Sequence, residues 1–272
     1  MTILQAILLG LIQGLTEFLP ISSSGHLVLG EYLLGLPPSS DVTFEIFVHF
    51  GTFLSVVVVF WNDVKAIVLA VVSAVAHPRD FRNRYASAED LRMGVYLIAA
   101  SVPAAIVGIR YEDAISEAFK DPKLVSVMLI VTGLILYLTR LARAREGKQF
   151  SVVSAILVGC AQAVAIIPGI SRSGSTISCA MYLGIAPVRA ARFSFLLALP
   201  VIAGGTLLHV IDLIAKGGAT ESLPALALGT VVAFLSGWVA IRFLLRLVEK
   251  GKFSVFSIYC LIVGTLGILF IN

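Results

Sequence analysis

The chain has 272 residues, 58% of them in the AVILMFWYC set and 13% charged, against about 45–50% apolar and roughly 25% charged in soluble domains. A mean hydropathy of +0.99 excludes an ordinary soluble globule and a disordered chain, and runs that are apolar all round exclude the alternating strands of a membrane β-barrel. The net charge is +4, with most of the 20 Lys and Arg between apolar runs, which fits topology signals in loops and not a nucleic-acid patch.

A spanning helix needs roughly 20 apolar residues. The first element, residues 2–35, is apolar but broken midway at Leu19-Pro20-Ile21-Ser22-Ser23-Ser24-Gly25-His26. A first span is expected at 44–61. Residues 66–76 are apolar but too few to cross, so they belong at the membrane surface or extend the first span. Further spans are expected at 94–109 and 124–139. Residues 151–184 repeat the broken pattern, with the interruption at Pro168-Gly169-Ile170-Ser171-Arg172-Ser173-Gly174-Ser175. Pro and Gly interrupt a helix, and the serines suit the cap of a new one. Spans at 193–211, 224–241 and 254–271 complete an all-α integral membrane protein. No removable signal peptide is expected, because residues 1–19 lack a basic start and carry Glu17. Cys160, Cys179 and Cys260 have neither disulfide nor metal spacing.

The two broken stretches match without a gap at an offset of 149. Ala6–Gly25 and Ala155–Gly174 share nine of 20 positions, including Gly10/Gly159, Gln13/Gln162, Ser22/Ser171, Ser24/Ser173 and Gly25/Gly174. The same offset pairs Pro38 with Pro187 and Phe44 with Phe193. Chance apolar similarity does not align an interruption with an interruption, so the chain is an internal duplication of 1–142 and 150–272. If each broken segment is a re-entrant hairpin, each half adds three spans and the second half is inverted. One side then receives the loops 62–93, 140–150, 184–192 and 242–253, with 15 Lys and Arg, against 4 in 110–123 and 212–223. The basic side is cytoplasmic by the positive-inside rule, and both termini lie outside. The outer 36–43 connection has no Lys or Arg, as this topology requires. Inverted repeats with broken helices place their site near the bilayer midplane, so the two tips are expected to meet there.

A charge at bilayer depth costs roughly 2.5–3.5 kcal/mol on insertion scales. Glu17 and Arg172 both fall within the hairpins, and a structural ion pair is the plain reading. A functional one gains weight from the polar groups crowding the same tips: Ser22, Ser23, Ser24, His26, Ser171, Ser173, Ser175 and Thr176. In each tip Ser-x-Ser-Gly precedes a renewed helix, whose free N–H groups favour an anion. Gly25 and Gly174 allow close approach, and Arg172 supplies a planar fork for phosphoryl oxygens. A pocket that only binds anions gains nothing from Glu17, which suits a divalent cation or a proton acceptor. Gln13 lies one turn earlier on the same face, and the two offer hard oxygen ligands for Mg²⁺ or Ca²⁺. Glu45 and His49 either line the cavity mouth or sit at the interface. His77 and His209 read as interfacial, and Trp61, Trp238 and the tyrosines as belt or packing residues.

These strings resemble the bacterial undecaprenyl-pyrophosphate phosphatases, the bacitracin-resistance family, over the whole chain. The resemblance rests on QGLTEFLPISSSGH at Gln13–His26 and PGISRSGST at Pro168–Thr176. The family's first motif has Glu or Gln, three residues, then Glu; here these are Gln13 and Glu17, and Gln keeps an oxygen donor while giving up a charge. The resemblance implies hydrolysis of a polyprenyl pyrophosphate to the monophosphate carrier that cell-wall synthesis recycles. It also implies dependence on Mg²⁺ or Ca²⁺ and a site in the bacterial inner membrane that opens to the outer, periplasmic face. The expected partners are the lipid substrate and membrane lipids, with no nucleic acid, and a homodimer is left open.

The expected mechanism uses Glu17, Ser23, His26 and Arg172. Ser23 is the candidate nucleophile with His26 assisting proton transfer, and direct attack by water stands beside it. Ser22, Ser24, Gly25, Ser171, Ser173, Gly174, Ser175 and Thr176 would cradle phosphate. The rival reading is a secondary transporter or polyprenyl-phosphate flippase without chemistry.

Overall fold

A computed structural model describes residues 1–35, 43–215 and 222–271, without the side chains of 208–209 and 212–215. The readings of Pro38, of the 36–43 connection, of the His209 side chain and of most of the 212–223 loop lie outside this description. Every regular element among the described residues is helical. Five helices are long and apolar enough to cross a membrane, or six if one bent pair counts as a span.

The first broken segment is α1 (Ile3–Phe18) followed by α2 (Ser23–Leu33). Thr2 opens α1 with a capping box: its hydroxyl accepts from Gln5 N at 3.3 Å, and Thr2 N donates to Gln5 Oε1 at 2.8 Å. The helix stops at Leu19, which is extended before Pro20, because a residue preceding proline is driven out of the α region. Sixteen residues at 1.5 Å each give a rod of roughly 24 Å, short of a hydrocarbon core of about 30 Å. The break therefore falls inside the span that a longer helix would have crossed.

The bent pair is α3 (Thr43–Val59), where the first span is expected, and α4 (Trp61–Ala76), which turns away from it by 89°. Of the two expectations for 66–76, the straight extension fails at this turn. Then come α5 (Phe81–Ser87), the long α6 (Glu89–Arg110), a short α7 (Glu112–Ala118) and α8 (Pro122–Leu138). The second broken segment is α9 (Val152–Val164), an irregular stretch, and α10 (Arg172–Tyr182). Ser151 and Ser154 form the same capping box on α9, 149 residues after Thr2 and Gln5. Three long helices follow, α11 (Pro187–Ala215), α12 (Leu223–Glu249) and α13 (Phe256–Phe270).

Similar packing is found around both broken segments. Helix α1 lies on α12 and α9 lies on α6, while α3 meets α12 and α11 meets α6. A Cβ on Gly10 would come within 2.6 Å of Gly229 O, and one on Gly159 within 2.4 Å of Ala100 O. These glycines let backbones touch, which is how helices associate without a hydrophobic driving force. The fully buried Phe18, Phe193 and Phe195 join the first hairpin to α11 in the main core. Large apolar side chains such as Ile106, Leu134, Val239 and Leu269 stay exposed, as suits a lipid-facing surface.

Candidate functional site

Both tips are helix starts capped by serine. Ser22 caps α2 through Gly25 N→Oγ at 3.2 Å, and Ser171 caps α10 through Gly174 N→Oγ at 3.0 Å. Ser22 is the only non-glycine residue with positive φ among those described, at 70°. Only glycine enters that region freely, so the Ser22 backbone is held there by its surroundings. The second break is fixed by Thr132 of α8, which donates to Gly169 O at 2.9 Å and accepts from Ser171 N at 3.0 Å.

The two tips meet. Ser173 Oγ donates to Leu19 O at 3.1 Å. A Cβ on Gly25 would lie 3.2 Å from Gly169 Cα, and one on Gly174 would lie 3.4 Å from Pro20 Cβ. Across this contact Arg172 pairs with Glu17 through Nη2 and Oε1, with side-chain exposures of 18% and 5%. Glu17 is therefore a buried carboxylate with a guanidinium from the other hairpin on one oxygen.

Its second oxygen gathers the rest of the site. Ser23 Oγ donates to Glu17 Oε2 at 2.6 Å, and Gln13 Nε2 donates to the same atom at 2.9 Å. His49 Nε2 stands 3.8 Å from it. His49 Nδ1 donates to Glu45 O at 2.7 Å, which leaves Nε2 aimed at the carboxylate. A serine hydroxyl on a buried carboxylate is the geometry of a nucleophile with an adjacent proton acceptor.

The other residues singled out in the sequence divide by role. Ser24 Oγ lies 3.2 Å from Ser22 Oγ, and Ser171 Oγ 3.2 Å from Ser173 Oγ, so each tip holds a hydroxyl pair. Ser175 is buried one turn into α10. Thr176 is spent structurally: its hydroxyl meets Arg172 O at 2.8 Å and Ser194 Oγ at 2.6 Å. His26 has both ring nitrogens engaged, on Ser22 O and Tyr259 Oη at 2.8 Å each, and its ring stacks on Tyr259. The hydroxyl of Ser23 is thus met by Glu17.

Sequence reasoning left His49 undecided and missed Tyr259, Thr132 and Ser194 as partners. The spacing of Glu45 and His49 was the available signal for the first. The others meet the site through contacts 18 to 233 residues apart, which no local pattern encodes.

The two matching stretches differ where the chemistry gathers. At the offset of 149, Glu17 corresponds to Ile166 and Ser23 to Arg172. One hairpin carries the carboxylate and hydroxyl, the other the cation. Gln13 Oε1 is buried without a hydrogen-bond partner, directly beside Glu17. An orphaned oxygen next to a carboxylate fits a hard divalent cation, although two protein donors leave most of its shell to substrate and water. Among the described residues no group of three or more His, Cys, Asp or Glu is arranged for a metal.

A family model described as bacitracin resistance protein BacA matches residues 6–266. The undecaprenyl-diphosphatase of Salinibacter ruber is 46% identical over 269 residues, covering 98% of this chain and 99% of that protein. That of Halothermothrix orenii is 42% identical over 271 residues, covering 99% and 98%. The protein of Bacillus thuringiensis named undecaprenyl-diphosphatase 2 is 37% identical over 270 residues, with the same coverage.

Proposed function

The chain belongs to the bacitracin resistance protein BacA family, and we propose that it catalyses the reaction for which its relatives are named, hydrolysis of undecaprenyl diphosphate to the monophosphate and inorganic phosphate. The observation that carries this reading is the single cluster formed across the two tips by Arg172, Glu17 and Ser23. The polyprenyl tail stays in lipid, and the diphosphate enters between the hairpins.

Arg172 orients the diphosphate by a forked contact to phosphoryl oxygens. The N-termini of α2 and α10, with the hydroxyl pairs of Ser22–Ser24 and Ser171–Ser173, receive the charge that develops on the transferring group. Ser23 Oγ attacks the terminal phosphorus as Glu17 Oε2 takes its proton, the bond from that phosphorus to the bridging oxygen breaks so that the lipid monophosphate leaves, and a water then hydrolyses the phosphoserine to inorganic phosphate. Where water attacks directly, Glu17 takes the water's proton and the same bond breaks. His26 holds the entry to α2 through Ser22 O and Tyr259, a positioning role in the substrate-free protein. Gln13 and Glu17 would hold a Mg²⁺ or Ca²⁺ ion, which supplies Lewis-acid neutralisation of the phosphoryl oxygens when bound.

The protein is a multi-pass membrane protein. The further reading is an inverted duplication of 1–142 and 150–272 in the bacterial inner membrane, with the site open to the periplasmic face. It is supported by the recurring capping boxes and helix pairings and by the excess of Lys and Arg in alternate loops along the sequence. Detergent-purified protein, a polyprenyl diphosphate and a divalent salt decide the function: a phosphatase releases phosphate, and a carrier without chemistry releases none.

A further inference from the structure

A polar cavity of about 370 Å³ lies outside the hairpin cluster. Its walls are the first turns of α6 and α11 and the linker between α8 and α9. Three guanidinium groups line it, those of Arg92, Arg189 and Arg192, with Tyr96 and Gln149 as neutral donors. Glu89 is the one carboxylate among the described lining residues.

The arginines are held in place yet keep donors free. Arg192 forks onto Asp63 of α4, with Nε 3.2 Å from Oδ2 and Nη2 on Oδ1. Arg92 is held by the carbonyls of Ala86 at 2.8 Å and Tyr85 at 3.3 Å. Arg189 has only Lys148 O at 3.5 Å, at the limit of a hydrogen bond. Each guanidinium has five N–H donors, so most of the donor capacity points to no protein partner.

This cavity is separate from the hairpin cluster. Its apolar wall is Phe150, which stacks on Phe193 at 4.1 Å. Two residues on, Phe195 meets Phe18 edge-on at 5.7 Å, next to Glu17. A buried aromatic layer therefore stands between the two polar sites. Planar forks in excess over carboxylates, beside an apolar wall, select a compact multivalent oxyanion.

We propose that this cavity is a second anion site that binds a phosphomonoester group, brought either as inorganic phosphate or as the headgroup of a phosphorylated lipid. Arg189 is its principal ligand, and Arg92 and Arg192 complete it from walls fixed by their own partners.

The test uses the full chain in phosphatidylcholine nanodiscs, with Glu17→Gln/Arg172→Ala removing the hairpin site so that binding is read at the second site alone. Inorganic phosphate followed by ³¹P NMR is expected to bind saturably. Arg189→Gln should weaken that binding about tenfold, the loss of one charge-assisted contact, and Arg110→Gln should leave it unchanged. If Arg189→Gln does not fold, Arg189→Lys, which keeps the charge and loses the fork, is read in its place with the same expected weakening. Phosphatidic acid, a phosphomonoester, is then compared with phosphatidylglycerol, a diester. Displacement of phosphate by the first alone assigns the lipid headgroup; retention in both assigns free phosphate, and either supports the site. Absence of saturable binding of both inorganic phosphate and phosphatidic acid, or binding indifferent to Arg189, overturns it.

Discussion

Removing Arg172 tests the structural and catalytic roles of the hairpin ion pair separately. Arg172→Ala leaves Glu17 with 5% side-chain exposure and no guanidinium. Breaking a buried pair from one side costs about 3–5 kcal/mol, and the partial exposure of Arg172 favours the lower end, ~3 kcal/mol. Neutralising the stranded carboxylate as well, in Glu17→Gln/Arg172→Ala, should recover most of that loss, because no uncompensated charge remains. Activity behaves differently. An arginine on a transferring phosphoryl group is worth about a thousandfold or more in turnover, so both variants should release almost no phosphate. The assay pairs apparent melting in detergent with phosphate release from a polyprenyl diphosphate. Near-normal turnover of Arg172→Ala, or a double variant no more stable than the single one, would refute this reasoning.

Three further outcomes follow from the same geometry. Ser23→Ala deletes the 2.6 Å bond to Glu17 and should reduce turnover far more than stability; if water is the nucleophile, no phosphoserine forms on the unaltered protein during one turnover and Ser23→Ala keeps residual activity. Gly25→Ala places a Cβ 3.2 Å from Gly169 Cα and from Ser22 Oγ, so it should spread the tips and lower kcat by about tenfold or more, given how steeply rate depends on ångström placement; unchanged kcat would show that the tips need not touch. Thr132→Val leaves Gly169 O and Ser171 N unpaired in a buried place, which should cost about 1–3 kcal/mol in melting experiments while leaving the divalent-ion dependence of the remaining activity unchanged.

The broken helices were legible because their cause is local. Pro20, Pro168 and Gly169 act on their own backbone, and a serine cap needs only the next three residues. The match between the two broken stretches was legible because two interruptions align at one offset. The meeting of Glu17 with Arg172, 155 residues apart, followed from a physical argument about charges at bilayer depth. What stayed hidden was long-range and stereochemical. No pattern announces that Ser22 adopts φ 70° or that Thr132 bridges the second break. Nor does any pattern announce that His26 sets Nδ1 on Ser22 O and Nε2 on Tyr259 Oη. The 89° turn after α3 was half legible: eleven apolar residues are too few to cross, which allowed a surface placement, but such a run specifies a helix and not its direction.

The resting ion pair also explains why this site calls for a further positive charge. In the substrate-free protein Glu17 and Arg172 neutralise each other at a depth where either alone would be costly. A diphosphate that draws Arg172 to its own oxygens takes that compensation away and sets an anion beside a buried carboxylate. Glu17 then needs another positive partner. Within this chain the Ser23 proton lies on the 2.6 Å bond to Glu17 Oε2, and His49 Nε2 stands 3.8 Å from the same oxygen. A divalent cation is the one it would take from solution, with the unpartnered Gln13 Oε1 waiting beside the carboxylate. On this account the coupling of Arg172 to substrate and of Glu17 to the nucleophile is one exchange of partners. Replacing Glu17 by Gln should therefore leave phosphate binding largely intact while abolishing turnover, because the amide keeps the shape of the site and loses the demand for a proton. A Glu17→Gln variant that loses substrate affinity in proportion to turnover would place the carboxylate's role in binding alone.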